Sequence, residues 1–274
     1  MQEDILRTGR RARQSSQERA MQDPAVVIDP ERRRMLLRVG ALAILALSLP
    51  PLGACAQGAG AAGHAGPACI GVIGSGRIGG TVGGLWVKAG HPVLFSSRHP
   101  ESLKPLVDGL GPLARAGTVA EAIAFADVLF LATPYGALPQ LSQENAGAWS
   151  GKIVLDATNA IPQRDGAIAE EAQRNGIGIT TAKYLRGARV VRAFNFMGAT
   201  NFASEHHRPG GLIAVPIAGD DQVALQVAAQ LVRDAGFEPV MVGPLASADR
   251  FAPGGPLFRQ IGTAEEFRRK MSGN

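Results

Sequence analysis

Between residues 68 and 245 the chain repeats one pattern. A short, nearly unbroken apolar run ends in polar or glycine residues, and a stretch with apolar positions at helical spacing follows. The apolar runs lie at 70–73, 91–98, 127–134, 152–159, 188–194, 212–218 and 238–242. Runs that are apolar on consecutive rather than alternate positions suit strands covered on both faces, as in a parallel sheet. After the first run, Ile78, Val82, Leu85, Trp86 and Ala89 keep a helical period that Gly90 closes, as a residue free to adopt left-handed backbone does at a helix end. Segments 117–125, 136–149, 167–174, 180–186 and 263–271 are the other predicted crossovers and helices. Asp220 or Asp221 caps one more, with Val223, Val227 and Leu231 on one stripe, Ala224, Ala228 and Val232 beside it, and Gly236 at its end. Strands alternating with helices at this spacing predict an α/β fold, a single doubly wound, mainly parallel sheet with right-handed crossovers.

The first strand runs straight into Gly74, Gly76 and Gly79, spaced G-x-G-x-x-G. At a strand-to-helix turn this is the dinucleotide fingerprint of Rossmann-like sheets. The first glycine allows the tight turn, the second lets a pyrophosphate approach bare backbone, and the third lets helix and strand pack closely. The first-turn amides of the helix then face the anion. Spacing alone carries little, because Gly58, Gly60 and Gly63 match it with no strand before them; that copy reads as linker. The expected cofactor-binding residues here are Gly74, Ser75, Gly76, Arg77, Ile78 and Gly79, with Arg77 facing either phosphate or solvent.

The second strand ends in Ser96, Ser97 and Arg98, and no acid follows until Glu101. A site that prefers NAD places Asp or Glu there for the ribose hydroxyl, whereas small hydroxyls and an Arg suit the 2′-phosphate of NADP. The turn therefore predicts NADP. Ligands of open α/β sheets bind outside the carboxyl ends of the strands. Those ends carry Thr133-Pro134-Tyr135, Thr158-Asn159-Ala160, Asn195-Phe196-Met197-Gly198 and Gly243-Pro244-Leu245. Singly each is ordinary strand-to-loop punctuation. Together they outline a pocket, with Thr133, Pro134 and Asn159 toward the cofactor and Tyr135, Asn195, Phe196, Met197 and Gly198 toward a substrate.

No histidine, cysteine or acid pair falls at those ends, and Lys183-Tyr184 lack the Tyr-x-x-x-Lys spacing that would supply a built-in base. No catalytic residue is assigned. What remains is hydride transfer to an acceptor with its own electron sink, such as a flavin or deazaflavin, with the protein supplying position and water exclusion. Tyr135, Phe196 and Met197 are suited to pack on a flat ring. His206-His207 have no further ligand nearby in sequence, so no metal is expected.

The chain of 274 residues carries a net charge of +5, but unevenly. Residues 1–54 hold nine Lys/Arg and six Asp/Glu, leaving 19 and 17 for the rest, which is no nucleic-acid footprint. The excess belongs to a leader. Arg33-Arg34-Met35-Leu36-Leu37-Arg38 precedes an apolar run at 39–49 that is short for a membrane span and right for a signal core. It resembles a twin-arginine signal, and Leu52-Gly53-Ala54-Cys55 resembles a bacterial lipobox that would lipidate Cys55. The alternative is a disordered basic leader. The expected domains are thus a leader at 1–55, a flexible Gly/Ala linker at 56–67, a reductase domain at 68–260 and a C-terminal helix or tail at 261–274. With Cys55 acylated, Cys69 reads as a small buried apolar residue without a disulfide.

The segments Ile70 to Gly80, Ser96 to Arg98, Asp127 to Pro134, Val154 to Asn159 and Val191 to Gly198 resemble those of the coenzyme F420-dependent NADP reductases, and Gly243 to Ala246 with Phe251 to Phe258 is similar to that family's C-terminal loop. The resemblance implies NADP along Ser75 to Gly79 with Ser97 and Arg98 at the 2′-phosphate. It further implies the nicotinamide near Thr133 and Pro134, and the coenzyme F420 or flavin ring near Asn195 to Gly198. Expected partners are a small-molecule redox acceptor and, through the leader or its lipid only, a membrane surface; a homodimer stays open. The leader implies an exported, periplasmic or membrane-anchored location, against a cytoplasmic one. A tethered, non-catalytic NADP-binding sensor is the alternative to a reductase.

Overall fold

A computed structural model describes residues 66–273. The leader, Cys55 and the decoy glycines lie outside the described residues. In chain order the elements are β1 (Ile70–Ile73), α1 (Arg77–Lys88), β2 (Val93–Ser96), α2 (Lys104–Leu110), β3 (Ala114–Gly117), α3 (Val119–Phe125), β4 (Val128–Leu131), α4 (Leu138–Glu144) and β5 (Ile153–Asp156). They continue with α5 (Pro162–Asp165), α6 (Ala167–Asn175), α7 (Ile177–Tyr184), β6 (Arg189–Arg192), α8 (Ala199–Glu205), β7 (Ala214–Gly219), α9 (Gln222–Asp234), β8 (Glu238–Gly243) and α10 (Ala264–Met271).

The strands form one sheet in the order β3-β2-β1-β4-β5-β6-β7-β8. Every pairing is parallel except β6 with β7, where Val191 faces Gly219 and Arg192 faces Ala218 in antiparallel register. The chain steps outward from β1 in two directions, to β2 and to β4. The crevice beyond the end of β1 is thus the topological switch point, where open α/β sheets take their ligands. β1, β2, β4 and β5 are buried along their whole length, which is what their unbroken apolar runs demand. The edge strand β3 exposes Arg115 and Ala116.

Packing joins the two halves of the sheet through aromatic rings. Trp86 of α1 meets Phe130 of β4 and Phe194 edge-on, with centroids 4.9 and 5.6 Å apart, and Phe194 leans on Phe202 and Phe237. The Trp86 indole N–H donates to the Leu231 carbonyl at 2.7 Å, tying α1 to α9. Asp221, rather than Asp220, caps α9 by accepting from the Ala224 amide at 2.7 Å; Asp220 accepts from the Leu245 amide instead.

The expected C-terminal helix is α10: Thr263 bridges to Ile213, its capping box starts the helix, and Phe267 is buried against Phe196. One expectation changes. Cys69, buried at the head of β1, is disulfide-bonded rather than a lone thiol.

Candidate functional site

The glycine loop is shaped by close backbone approaches. Gly74 has φ 92°, and a Cβ there would meet the Thr133 Cγ2 at 2.6 Å and the Ala132 carbonyl at 2.9 Å, so the turn is pressed onto the end of β4. A Cβ at Gly79 would collide with the Gly74 carbonyl oxygen. Gly76 differs: it is exposed, and a Cβ there would meet no atom within 4 Å. Gly76 is also the N-cap of α1, makes no side-chain cap hydrogen bond, and is followed by no acid in the first turn. The open space beside Gly76 thus faces uncapped helix amides, a combination that fits a pyrophosphate.

Ser75 ties this loop to β2, its hydroxyl donating to the Ser96 carbonyl at 3.1 Å. Ser96 itself is fully buried and its hydroxyl donates to the Val72 carbonyl at 2.8 Å. It therefore holds β1 to β2 and offers nothing outward, which corrects its assignment to the 2′-phosphate. Ser97 stays at the surface of the turn, accepting from the His99 amide at 3.1 Å. Arg98 is exposed, and the nearby acid Glu101 lies against His99 at 3.5 Å, which leaves the guanidinium free of an ion pair among the described residues.

Beyond α1 opens a cleft of about 420 Å³ lined by Ile78, Ala157, Asn159, Ile161, Phe194, Asn195, Met197, Gly198, Pro253, Phe258 and Arg259, within the usual size range of small-molecule sites. Ile78 belongs to the first turn of α1, so glycine loop and cleft are contiguous. Two asparagines form the floor: the Asn159 amide donates to the Asn195 carbonyl at 2.7 Å, and the Asn195 amide donates to the Asn159 Oδ1 and the Phe251 carbonyl, both at 3.1 Å. Phe194 and Arg259 both adopt left-handed backbone, with φ of 61° and 59°. Such conformations in non-glycine residues cost on the order of 1–3 kcal/mol and gather at ligand sites. Arg259 is the one ionisable side chain in this lining, its guanidinium 5.4 Å from the Phe258 ring centroid. Thr133 Oγ1 is shielded and has no hydrogen-bond partner among the described residues, so a hydroxyl beside Gly74 is left for a ligand.

Several residues singled out by sequence stand elsewhere. Tyr135 is fully buried; its hydroxyl donates to the Ile177 carbonyl at 3.0 Å, and burial pushes the phenol pKa well up. Phe196 is likewise buried, edge-on to Phe202 and Phe267. Neither faces the cleft, which corrects their assignment to ring stacking; the walls are Ile78, Ile161, Met197, Pro253 and Phe258 instead. Lys183 and Tyr184 both bind Glu171 and line a different hollow. Ile161 and Arg259 were not legible as site residues; the proline after Ile161, which ends an extended segment, is the only sequence signal for either.

Residues 69–160, from β1 through β5 to the rim of the cleft, match the family model of NADP oxidoreductases, coenzyme F420-dependent. The chain is 30% identical over 187 residues to the metalloreductase STEAP3 of Rattus norvegicus, covering 65% of this chain and 34% of the rat protein. It therefore spans about a third of the length of that curated relative. Among solved structures, a hypothetical protein, SMa0349 of Sinorhizobium meliloti, is similar with TM-score 0.61 and 29% identity, over 71% of this chain and 95% of that one. A candidate F420-dependent NADP-reductase from Arthrobacter sp. FB24 shares the fold with TM-score 0.57 and 24% identity, over 66% and 87% of the two chains.

Proposed function

We propose, from the premise that this chain belongs through residues 69–160 to the coenzyme F420-dependent NADP oxidoreductases, that its domain binds NADP and passes hydride between it and a planar acceptor. The acceptor is a deazaflavin, a flavin or a ring of similar electron demand. The observation that carries the reading is the continuity of the open space at Gly76 with the cleft, through Ile78.

When bound, the nicotinamide would exchange a hydride, two electrons and a proton, with the acceptor. The chain's own residues bind and orient. Gly76 and the first-turn amides of α1 take the pyrophosphate, and Ser97 and Arg98 the 2′-phosphate. Thr133 offers its unpartnered hydroxyl to the nicotinamide side. Asn159, read from the sequence as facing the cofactor, is bonded to Asn195 in one cleft floor, so both are assigned here to the acceptor side, and Met197, Ile161 and Phe258 exclude water around the ring. Placement of two reactants can supply a large part of a barrier without a catalytic acid or base.

Mixing the protein with NADPH and each candidate acceptor, and following NADPH absorbance, tests this directly. Turnover with one acceptor class supports the reading; saturable NADPH binding with no turnover for any of them overturns it in favour of a non-catalytic sensor. Within the reading, Arg98→Ala is expected to weaken NADPH by about tenfold to a hundredfold and to leave NADH almost unchanged, since a hydrogen bond to a charged group contributes about 1.5–3 kcal/mol. An equal loss for both nucleotides contradicts the 2′-phosphate contact.

A further inference from the structure

Next to the cleft floor lies a fully buried ion pair. Arg192, the last residue of β6, and Asp156, the last of β5, are both fully buried, with Nη1 and Oδ2 2.6 Å apart. Burying two charges costs desolvation that their attraction seldom recovers, and a well-packed apolar pair is often as stable or more so. This pair is not even fully satisfied, because Arg192 Nε has no hydrogen-bond partner among the described residues. What it does is grip the chain leading to the cleft. Arg192 Nη2 donates to the Thr158 carbonyl at 2.6 Å, and Asp156 Oδ1 accepts from the Thr158 amide and hydroxyl at 2.9 and 2.6 Å. Thr181 of α7 donates to the other carboxylate oxygen at 2.7 Å. Thr158 is thereby held at its amide, hydroxyl and carbonyl, and the next residue is Asn159, whose side chain is bonded to Asn195.

We infer that Arg192 and Asp156 are positioning residues: the buried pair fixes the Thr158–Asn159 peptide and so sets the Asn159–Asn195 floor against which the acceptor ring lies. This rests on the hydride-transfer reading above. Neither residue touches the cleft in its own right, and neither takes part in proton or hydride movement.

The test replaces the pair with apolar residues of similar size, Arg192→Met with Asp156→Leu, because a single replacement leaves an unpaired buried charge and is expected to unfold the protein. The double variant should melt close to the wild type and bind NADPH with unchanged affinity, while kcat with the acceptor falls by about a hundredfold, the loss that small misplacement of reactants brings. Amide hydrogen exchange at Thr158 and Asn159 in nucleotide-free protein should accelerate, with exchange in β1 and β4 unaltered. Arg192→Lys keeps the charge but gives up the forked donation, and is expected to fold with kcat between the two. A double variant that folds, exchanges at those amides as slowly as wild type and turns over normally overturns the inference. If wild type turns over no acceptor, the reductase reading fails, and the exchange measurement still decides whether the pair fixes the floor. Double and Lys variants that both fail to fold would show the pair to be structural, and would also overturn it.

Discussion

The ends of β1 and of β5–β6 lie on either side of β4 and open toward one cleft, but are built in opposite ways. At the end of β1 there is almost nothing but backbone: Gly74, Gly76 and Gly79, uncapped amides, and a Thr133 hydroxyl that has no partner among the described residues. At the ends of β5 and β6, side chains of Asp156, Thr158, Asn159, Arg192 and Asn195 interlock and reach across to the Phe251 carbonyl. On the proposed function, the difference follows from what each would hold. An anion is satisfied by amides, whose directions are set once the backbone path is set. A neutral ring offers few handles, so its place is defined by walls, and walls made of side chains have to be fixed by further side chains.

The comparison breaks most sharply at Gly79. Its Cβ position is occupied by a backbone carbonyl rather than by a flexible side chain, so Gly79→Ala forces β1 and α1 apart. The expected cost is at the upper end of overpacking effects, about 3 kcal/mol, with NADPH binding lost in step; a thermal melt and a nucleotide titration check both. A variant with wild-type stability would mean that the loop has slack that the geometry denies.

At the other end the weak point is a hydrogen bond. Asn195→Ala removes the donor to Asn159 Oδ1 and to the Phe251 carbonyl, leaving the buried Phe251 carbonyl without this partner while the half-buried Asn159 Oδ1 turns to the cleft. An unsatisfied buried group costs about 1–3 kcal/mol. The acceptor KM should rise and the NADPH dissociation constant stay put, the reverse of a glycine-loop variant. Equal damage to both ligands would merge the two regions into one site. Smaller again is Gly76→Ala, whose methyl enters open space. Stability should move by less than about 0.5 kcal/mol, while NADPH weakens about tenfold, or about 1.4 kcal/mol. Unchanged NADPH affinity would place the pyrophosphate elsewhere.

The same contrast explains what could be read from the sequence. The glycine loop and the Ser97-Arg98 turn depend on residues adjacent in the chain, so spacing and context are enough. The doubly wound order also follows from local alternation, and the antiparallel β6–β7 pairing is its one departure. The cleft draws on residues near 78, 159, 195 and 259, and no local pattern says which side chain of a strand end turns inward. Tyr135 follows an unbroken apolar strand whose faces are both buried, so its direction has no period to betray it. Near Phe196, the left-handed backbone at Phe194 interrupts the alternation by which a strand end would be read. Asp156 and Arg192 appear in the sequence as isolated charges in apolar runs, a signal that burial of a pair was needed, but only the β5–β6 register shows them to be each other's partners.

The smallest expected effect lies at the rim, where Asp165 sharpens the idea that the acceptor side depends on side-chain ties. Burial alone would raise the Asp165 carboxyl, but hydrogen bonds from Arg164 and from the Ile161 and Gly136 amides, with the Arg164 charge, hold it below the usual carboxylate range. The Ile161 amide reaches it at 2.8 Å and the Gly136 amide at 3.0 Å, so one carboxylate pins the cleft residue Ile161 to the loop after β4. Because the folded value is depressed, this contribution is complete above the unfolded pKa of about 3.9 and is lost as pH falls through the folded value. Arg164 is 44% exposed, which screens the pair and keeps the effect on the order of 1 kcal/mol. Other carboxylates titrate in the same range, so the measurement is the difference between wild type and Asp165→Asn in urea midpoint as pH is lowered. The gap should be widest near neutrality and close in acid, with acceptor KM rising in parallel and NADPH affinity following neither. A gap that stays constant with pH would mean that the tie holds through shape rather than charge.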